Sequence, residues 1–214
     1  MSRQKDAFLS AEGDAWFTRN ETALAAYDWS HDPVCRTLES LPRSNEPFRL
    51  LEIGCGDGSR LQYLAGKEGF KVCGIEPSQL AVTKAQERGI QVTRATADTL
   101  PFADSSMDIV VFGFCLYLCD DRDLFKIAHE ADRVLASVGW LLILDFEART
   151  PTYKAYHHRE GILTRKMDYA PMFTWHPAYT VASYEKFHHG TRQWTDDPDE
   201  WVSMICLRKR SPPQ

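Results

Sequence analysis

Three acids and a cluster of glycines are the residues of this chain whose types and spacing could do chemistry. Glu52 stands just before Gly54, Gly56 and Gly58 in Leu50-Leu51-Glu52-Ile53-Gly54-Cys55-Gly56-Asp57-Gly58-Ser59, Glu76 opens Glu76-Pro77-Ser78, and Asp98 lies in Ala97-Asp98-Thr99-Leu100-Pro101-Phe102. Glycines at such a turn permit positive φ and leave no Cβ between the main chain and a ligand. The free N–H groups at the start of the following helix suit a polar ligand laid over the turn. Glu52 and Asp57 beside that turn disfavour a pyrophosphate and favour cationic or hydroxylic groups. A dinucleotide fingerprint needs G-x-G-x-x-G, and in Gly54-Cys55-Gly56-Asp57-Gly58-Ser59 the sixth position is serine. A strand-end acid such as Glu76 lies next to a crevice in an α/β sheet and can accept both hydroxyls of a ribose. Each feature alone is also an ordinary turn or strand end; their succession argues for a site.

The elements that must position them follow from apolar patterning. Phe48–Ile53 reads as a buried strand, and Leu61, Leu64 and Ala65 mark the helix after the glycine turn. Residues 70–75 form a second strand, and Ser78 caps a helix over 79–88 that Gly89 ends. Residues 90–93 make a third strand, and the continuous apolar run 109–114 suits a parallel strand buried on both faces. Apolar residues at 124, 125, 127, 128, 131, 134 and 135 give one helical face over 122–136, Gly139 ends that region, and 140–146 make a fifth strand. Strands alternating with helices over 48–147 predict a parallel, doubly wound sheet. Upstream, Asn20, Leu24 and Tyr27 share a helical spacing with Trp16 and Phe17 nearby, and Pro33 opens a second helix over 34–41, with His31-Asp32 as its cap. Downstream, 179–189 and 201–209 read as two closing strands.

The run E-x-G-x-G-x-G resembles motif I of the class I S-adenosylmethionine (SAM)-dependent methyltransferases. Further on, Ala97-Asp98 through Leu100-Pro101-Phe102 to Asp104, Met107, Asp108 and Val110 resembles that family's A-D-x-x-x-L-P-F-x-D-x-x-F-D-x-V. It departs by one residue fewer before Leu-Pro and by Met107 in place of phenylalanine. Leu135-Ala136-Ser137-Val138-Gly139-Trp140-Leu141-Leu142 is similar to the turn the family shows before its fifth strand. The resemblance covers about half the chain and implies a Rossmann-like, seven-stranded, mostly parallel sheet with helices on both faces and an antiparallel C-terminal edge hairpin. It implies a helical lid over 1–47, a SAM-binding core over 48–147, a substrate-recognition insertion over 148–178 and a closing hairpin over 179–214. It assigns SAM to Glu52, Gly54, Cys55, Gly56, Gly58, Glu76, Pro77, Asp98, Thr99 and Phe114. In it the acid at Asp98 meets the adenine amine, the backbone of Thr99 meets a ring nitrogen, and a basic residue of the lid, here Arg19, meets the amino-acid carboxylate. Phe114, Leu116 and Tyr117 match the positions that line donor and acceptor. Asp108 reads as structural, pinning the loop before the fourth strand.

The insertion is rich in aromatic and polar groups. Tyr153, Tyr156, Arg159, Tyr169, Trp175 and His176 are its candidate substrate contacts, the plain alternative being an aromatic cover or dimer contact. A hydroxyl or amine acceptor must lose a proton, for which histidine is the usual base. His157 or His158 is the expected base, with Tyr117 and Tyr156 as positioning groups. The segments around Trp16-Phe17 and Tyr156-His157-His158-Arg159-Glu160 resemble those of bacterial methyltransferases of cell-surface saccharide synthesis, which implies a sugar or nucleotide-sugar acceptor. A non-catalytic SAM-binding module and, on fold grounds, an NAD(P)-dependent oxidoreductase are the alternatives. The formal net charge of −5 offers no attraction to a nucleic-acid backbone. Neither the Pro-Cys pair of C5-cytosine methylation nor an Asn/Asp-Pro-Pro-aromatic motif is present. Cys35, Cys55, Cys73, Cys115, Cys119 and Cys206 include no C-x-x-C pair, which fits free thiols in a reducing cytoplasm. His129 reads as solvated, and His188-His189, pointing to opposite faces of a strand, is a poor metal pair. Met1-Ser2-Arg3-Gln4-Lys5-Asp6 lacks the apolar core of a signal peptide, and the longest apolar run, 109–119, is too short to span a bilayer. The expected protein is a cytoplasmic monomer or homodimer, with a small-molecule acceptor and with no metal, membrane or nucleic-acid partner.

Overall fold

In the computed structural model, which describes residues 4–42 and 45–210, the strands are β1 (Phe48–Ile53), β2 (Phe70–Glu76), β3 (Val92–Arg94), β4 (Met107–Gly113), β5 (Leu135–Phe146), β6 (Thr152–Ala155), β7 (Leu163–Lys166), β8 (Tyr179–His188) and β9 (Trp201–Lys209). Seven of them form one sheet in the order β3-β2-β1-β4-β5-β9-β8, and β6 pairs with β7 apart from it. The first five are parallel, whereas β9 runs antiparallel to β5 and β8 antiparallel to β9. The chain winds outward from β1 to β3 and then returns to β4 on the other side of β1. That reversal opens a crevice at the carboxyl ends of β1 and β4, where ligands of open α/β sheets bind.

Helices cover both faces. On one, α3 (Pro33–Ser40), α4 (Ser59–Ala65) and α5 (Gln79–Glu87) bury Val34, Leu38, Leu61, Leu64, Val82 and Ala85 against Leu50, Ile109 and Leu142. On the other, α6 (Leu124–Val134) and α7 (Pro171–Thr174) bury Ile127, Ala131, Val134 and Phe173 against Leu51, Val110 and Ile143. The strands between two helical layers are apolar on both faces for this reason.

The largest differences from the sequence reading lie at the end of α6 and the start of β5, while β3 also starts two residues later than read and β8 ends one residue earlier. The helix expected over 122–136 is shorter, because a 3-10 turn capped by Asp120 precedes it and β5 already begins at Leu135. The segment around Gly139, read as a turn, is part of that strand: Leu135 pairs with Met107, and the register slips before Ile109 meets Trp140. Such a slip lets one strand carry extra residues without leaving the ladder.

The amino-terminal segment is helical from α1 (Gln4–Ala7) through a π-helical turn (Phe8–Glu12) into α2 (Gly13–Ala25); Met1, Ser2 and Arg3, with which the reading of the terminus began, lie outside the described residues. Asp14 docks it. Its Oδ1 accepts from the Ser78 hydroxyl at 2.7 Å and from the Leu80 N–H at 3.0 Å. Asp108 is structural as expected, accepting from the backbone N–H and guanidinium of Arg49. His129 is exposed, and no helix among the described residues is long and apolar enough to cross a membrane.

Candidate active site

The turn after β1 owes its shape to three positive-φ glycines, each answering a different demand. At Gly54 (φ +75°) an added Cβ would sit 2.6 Å from the Cys115 Cβ, so bare backbone is needed where β1 meets the end of β4. At Gly58 (φ +70°) it would sit 3.0 Å from the Ala85 Cβ, so this glycine serves the packing of α4 against α5. At Gly56 (φ +55°) it would meet only the Leu24 methyl at 4.0 Å. That open side faces a cleft with Gly54, Cys55 and Gly56 in its wall.

Glu52 and Glu76 stand in the same wall. The carboxylate of Glu76 accepts from the Gly56 N–H at 3.0 Å and from the Ser78 N–H at 2.9 Å. Burial raises its pKa to about 7 despite these two donors. One lone pair on each oxygen remains for a ligand hydroxyl. Glu52 lies deeper. Its Oε1 is paired with the Arg60 guanidinium, while its Oε2 is buried without a hydrogen-bond partner. Arg60 also donates to Asp32 at 3.1 and 3.3 Å and stacks 5.3 Å over Trp29. Desolvation pushes Glu52 toward its neutral form, against the pull of Arg60. One buried cation against two buried acids leaves a net negative group with one unused acceptor. A buried orphan acceptor is costly, and a ligand ammonium would satisfy it.

Asp98 forms the far end of the cleft. Its carboxylate accepts from the Thr96 hydroxyl at 2.7 Å and is bridged to Lys5 and Lys126. Burial opposes ionisation, but the Lys5 and Thr96 hydrogen bonds hold its pKa below the usual range. The amino-terminal helix closes this end. Gln4 donates to the Leu118 carbonyl at 2.8 Å and accepts from the Leu163 N–H at 2.8 Å, and Phe8 and Trp16 join the wall.

Of the residues singled out for SAM, the cleft gathers Glu52, Gly54, Cys55, Gly56, Glu76, Pro77, Asp98 and Phe114. It does not gather Gly58, Thr99 or Arg19. The Thr99 N–H donates to the Thr96 carbonyl at 3.2 Å. Arg19 is held by the buried Glu12 at 2.5 Å and the Tyr156 hydroxyl at 2.8 Å. The acceptor-side residues also scatter. His157 and His158 lie on an exposed turn after β6, and Arg159 donates to the Ala7 carbonyl. Tyr153 and Trp175 are exposed, and Tyr169 is fully buried with its hydroxyl on the Arg165 carbonyl at 3.0 Å. His176 accepts from the Ala178 N–H. Tyr117 stands in the 3-10 turn (Leu116–Leu118) that follows β4, its hydroxyl accepting from the Trp16 indole at 3.3 Å. Sequence reasoning missed Lys5, Trp16 and Arg60. Only Trp16, in a segment already read as aromatic and helical, carried a signal. Among the described residues no His, Cys, Asp and Glu group could hold a metal ion, and the cysteines are free.

Residues 51–143 match the family described as a methyltransferase domain. A ubiquinone/menaquinone biosynthesis C-methyltransferase of Vibrio parahaemolyticus is 32% identical over 123 residues, which are 50% of this chain and 47% of that protein. The chain spans about half the length of the curated relatives it matches. Among solved structures, a SAM-dependent methyltransferase of Methanosarcina mazei superposes with a TM-score of 0.67 at 17% identity, over 85% of this chain and 99% of the other. The 1,6-didemethyltoxoflavin-N1-methyltransferase of Burkholderia thailandensis, with bound 1,6-didemethyltoxoflavin and S-adenosylhomocysteine, superposes with a TM-score of 0.73 at 14% identity, over 96% and 89%. At these identities the superpositions speak for the fold.

Proposed function

From the match of residues 51–143 to a methyltransferase domain family and the likeness of the fold to SAM-dependent methyltransferases, we propose that this protein moves a methyl group from SAM to a hydroxyl or amine of a small metabolite. The observation that carries the donor half is the unpartnered Oε2 of Glu52 in the wall of a cleft that also holds Glu76 and the open face of Gly56. These fit a cationic nucleoside. The Glu52–Arg60–Asp32 group would hold its ammonium, Glu76 its ribose hydroxyls, and Asp98 its adenine amine in exchange for Lys5. A pyrophosphate would instead meet acids, which outnumber bases in the lining.

Bound there, SAM supplies a methyl carbon already electrophilic through its sulfonium. The protein's part is then to exclude water and align the acceptor, which can lower a barrier by roughly 7–11 kcal/mol. Phe8 and Trp16 close the cleft, and Tyr117 positions the acceptor from the turn after β4. Burial raises the Tyr117 pKa, which keeps its phenol neutral and able to donate. His157 and His158 remain candidate bases only if their turn moves inward, and unchanged turnover after replacing both removes them from the mechanism. The test of the whole reading has two parts. Calorimetry should show S-adenosylhomocysteine binding and NAD+ not binding, and tritiated methyl should pass from SAM into a fraction of a small-metabolite extract. Binding without transfer points to a non-catalytic module. Label in a saccharide fraction supports the sugar acceptor that the sequence resemblance implies.

Donor affinity should depend on pH through Glu76. Accepting two ribose hydroxyls needs the ionised form, whose pKa is about 7. Affinity for S-adenosylhomocysteine should therefore be about tenfold lower at pH 6 than at pH 8, by linkage between proton and ligand. The same raised pKa acts oppositely on the free protein. The folded chain keeps this proton up to about pH 7 while an unfolded glutamate loses it near 4.5, so Glu76 costs stability as pH rises through that window. Glu76→Gln should flatten both profiles and weaken binding by one to two orders of magnitude, roughly the 1.5–3 kcal/mol of a bond to a charged group. An unchanged binding isotherm would place the ribose elsewhere.

A further inference from the structure

The aromatic rings at the carboxyl ends of β4 and β5 hold a histidine that the mechanism above does not use. Phe114 lines the donor cleft and has φ +54°, a conformation unusual for a bulky side chain and a mark of functional positions. Its ring lies 5.8 Å from the His189 ring, edge to face, and 5.2 Å from the Phe146 ring. Phe146 lies 5.1 Å from His189 and 4.9 Å from Tyr117. Phe114, Tyr117, Phe146 and His189 thus form one chain of ring contacts that reaches the cleft through Phe114, and Trp16 joins it through its bond to Tyr117.

We infer that His189 is the proton acceptor for the substrate of this methyl transfer, an inference that rests on the proposed methyltransferase function. The other groups near these rings are committed. Asp145 accepts from the N–H groups of Leu116, Tyr117 and Phe146. Glu147 is bound by the Tyr184 hydroxyl and Lys186. The Tyr117 hydroxyl has Trp16, and its raised pKa makes it a donor. The adjacent His188 staples the β8–β9 turn, its Nδ1 accepting from the N–H groups of Gly190 and Thr191 at 2.9 and 3.1 Å. His189 is the first residue of the turn after β8, and its ring packs on Phe114 and Phe146. Its backbone N–H is anchored on the Glu200 carbonyl at 3.0 Å, and neither ring nitrogen has a hydrogen-bond partner among the described residues. The groups facing it are Arg192, Lys166 and His188, which disfavour its cation, and Glu200, which favours it. Burial against the rings, followed by Arg192, lowers its pKa from the ordinary value, so the imidazole is neutral and proton-accepting at pH 7. The residue is exposed to solvent, which gives the proton a way out.

The step balances without a further reactant. An acceptor oxygen or nitrogen lone pair forms the new bond to the methyl carbon, the carbon–sulfur bond breaks, and its electron pair stays on sulfur as a neutral thioether. The acceptor's proton passes to a ring nitrogen of His189 and from there to water. A base of this kind contributes typically 10²–10⁴-fold.

The test compares the full-length protein with His189→Ala and His189→Gln, using tritiated methyl transfer from SAM into a small-metabolite extract and calorimetry with S-adenosylhomocysteine. The expected result is unchanged affinity for S-adenosylhomocysteine, transfer reduced at least 100-fold in both variants, and partial recovery of the alanine variant by added imidazole. Loss of the acidic limb of the wild-type pH profile should accompany it. Transfer within twofold of wild type in either variant overturns the inference while leaving the methyltransferase reading intact. A parallel loss of S-adenosylhomocysteine binding would mean that His189 supports the fold of the cleft, which also overturns it. A wild-type protein that binds S-adenosylhomocysteine but labels no metabolite removes the methyl-transfer reading, and the role of His189 goes with it.

Discussion

Gly56→Val is expected to abolish binding of SAM and of S-adenosylhomocysteine alike, by more than 100-fold in calorimetry, in a protein that still folds. The side chain would start from a Cβ whose surroundings are empty except for Leu24 at 4.0 Å, and that empty space is the cleft proposed to hold the donor. The backbone adds a smaller penalty. With φ at +55°, an L-residue costs roughly 1–2 kcal/mol, and valine is stiff at χ1 as well. The neighbouring glycine makes the control. Gly54→Val drives its Cβ into that of Cys115, so it should lower the unfolding midpoint far more than Gly56→Val does. Retained donor affinity in the Gly56 variant would mean that the donor does not lie across this turn.

Arg60→Met should destabilise the protein by about 3–5 kcal/mol, the usual cost of breaking a buried ion pair by removing one partner. The reason is local. Arg60, Asp32 and Glu52 are all nearly fully buried, and without the guanidinium two carboxylates face each other in a dry site. For a domain of this size that corresponds to a fall of roughly 6–20 °C in Tm. The loss should be smaller at pH 5 than at pH 8, because the stranded acids can then take up a proton. Adding Glu52→Gln should restore part of the stability by removing one of the two charges. It should also weaken donor binding, since the net negative charge offered to the ammonium goes with it. A variant with unchanged Tm would show that this group is hydrated, and the ammonium site would have to be sought elsewhere.

What could be read in advance was what depends on local chemistry. The glycines at 54, 56 and 58, the acids at 52, 76 and 98 and the apolar run of β4 each announce themselves through backbone freedom, charge or period; Gly54, Gly56 and the three acids line one cleft, whereas Gly58 serves the packing of α4 on α5. β9 is found at the residues read for it, because both of its ends are marked by polar punctuation. The start of β5 was illegible. Whether Leu135 to Gly139 ends a helix or extends a strand depends on Met107, 28 residues earlier, being there to pair with Leu135.

The acceptor side shows the same division more sharply. Tyr169 and Trp175 look alike in sequence as aromatic candidates, yet one is fully buried and the other exposed, a difference made by packing alone. Arg19 looks free for a carboxylate until the fold brings Glu12 and Tyr156 to it. Lys5 and Arg60, separated along the chain from the acids they serve, pair with Asp98 and with Glu52 and Asp32 only after folding. The sequence by itself determined the parallel strands, the glycine turn after β1 and its acidic character, because period, glycine freedom and charge act over a few residues. Only the tertiary structure decided which cations neutralise those acids, which aromatic rings gather beyond Phe114 and which histidine packs on them. Those contacts join residues from about 8 to more than 90 positions apart along the chain, where nothing in local spacing specifies a partner.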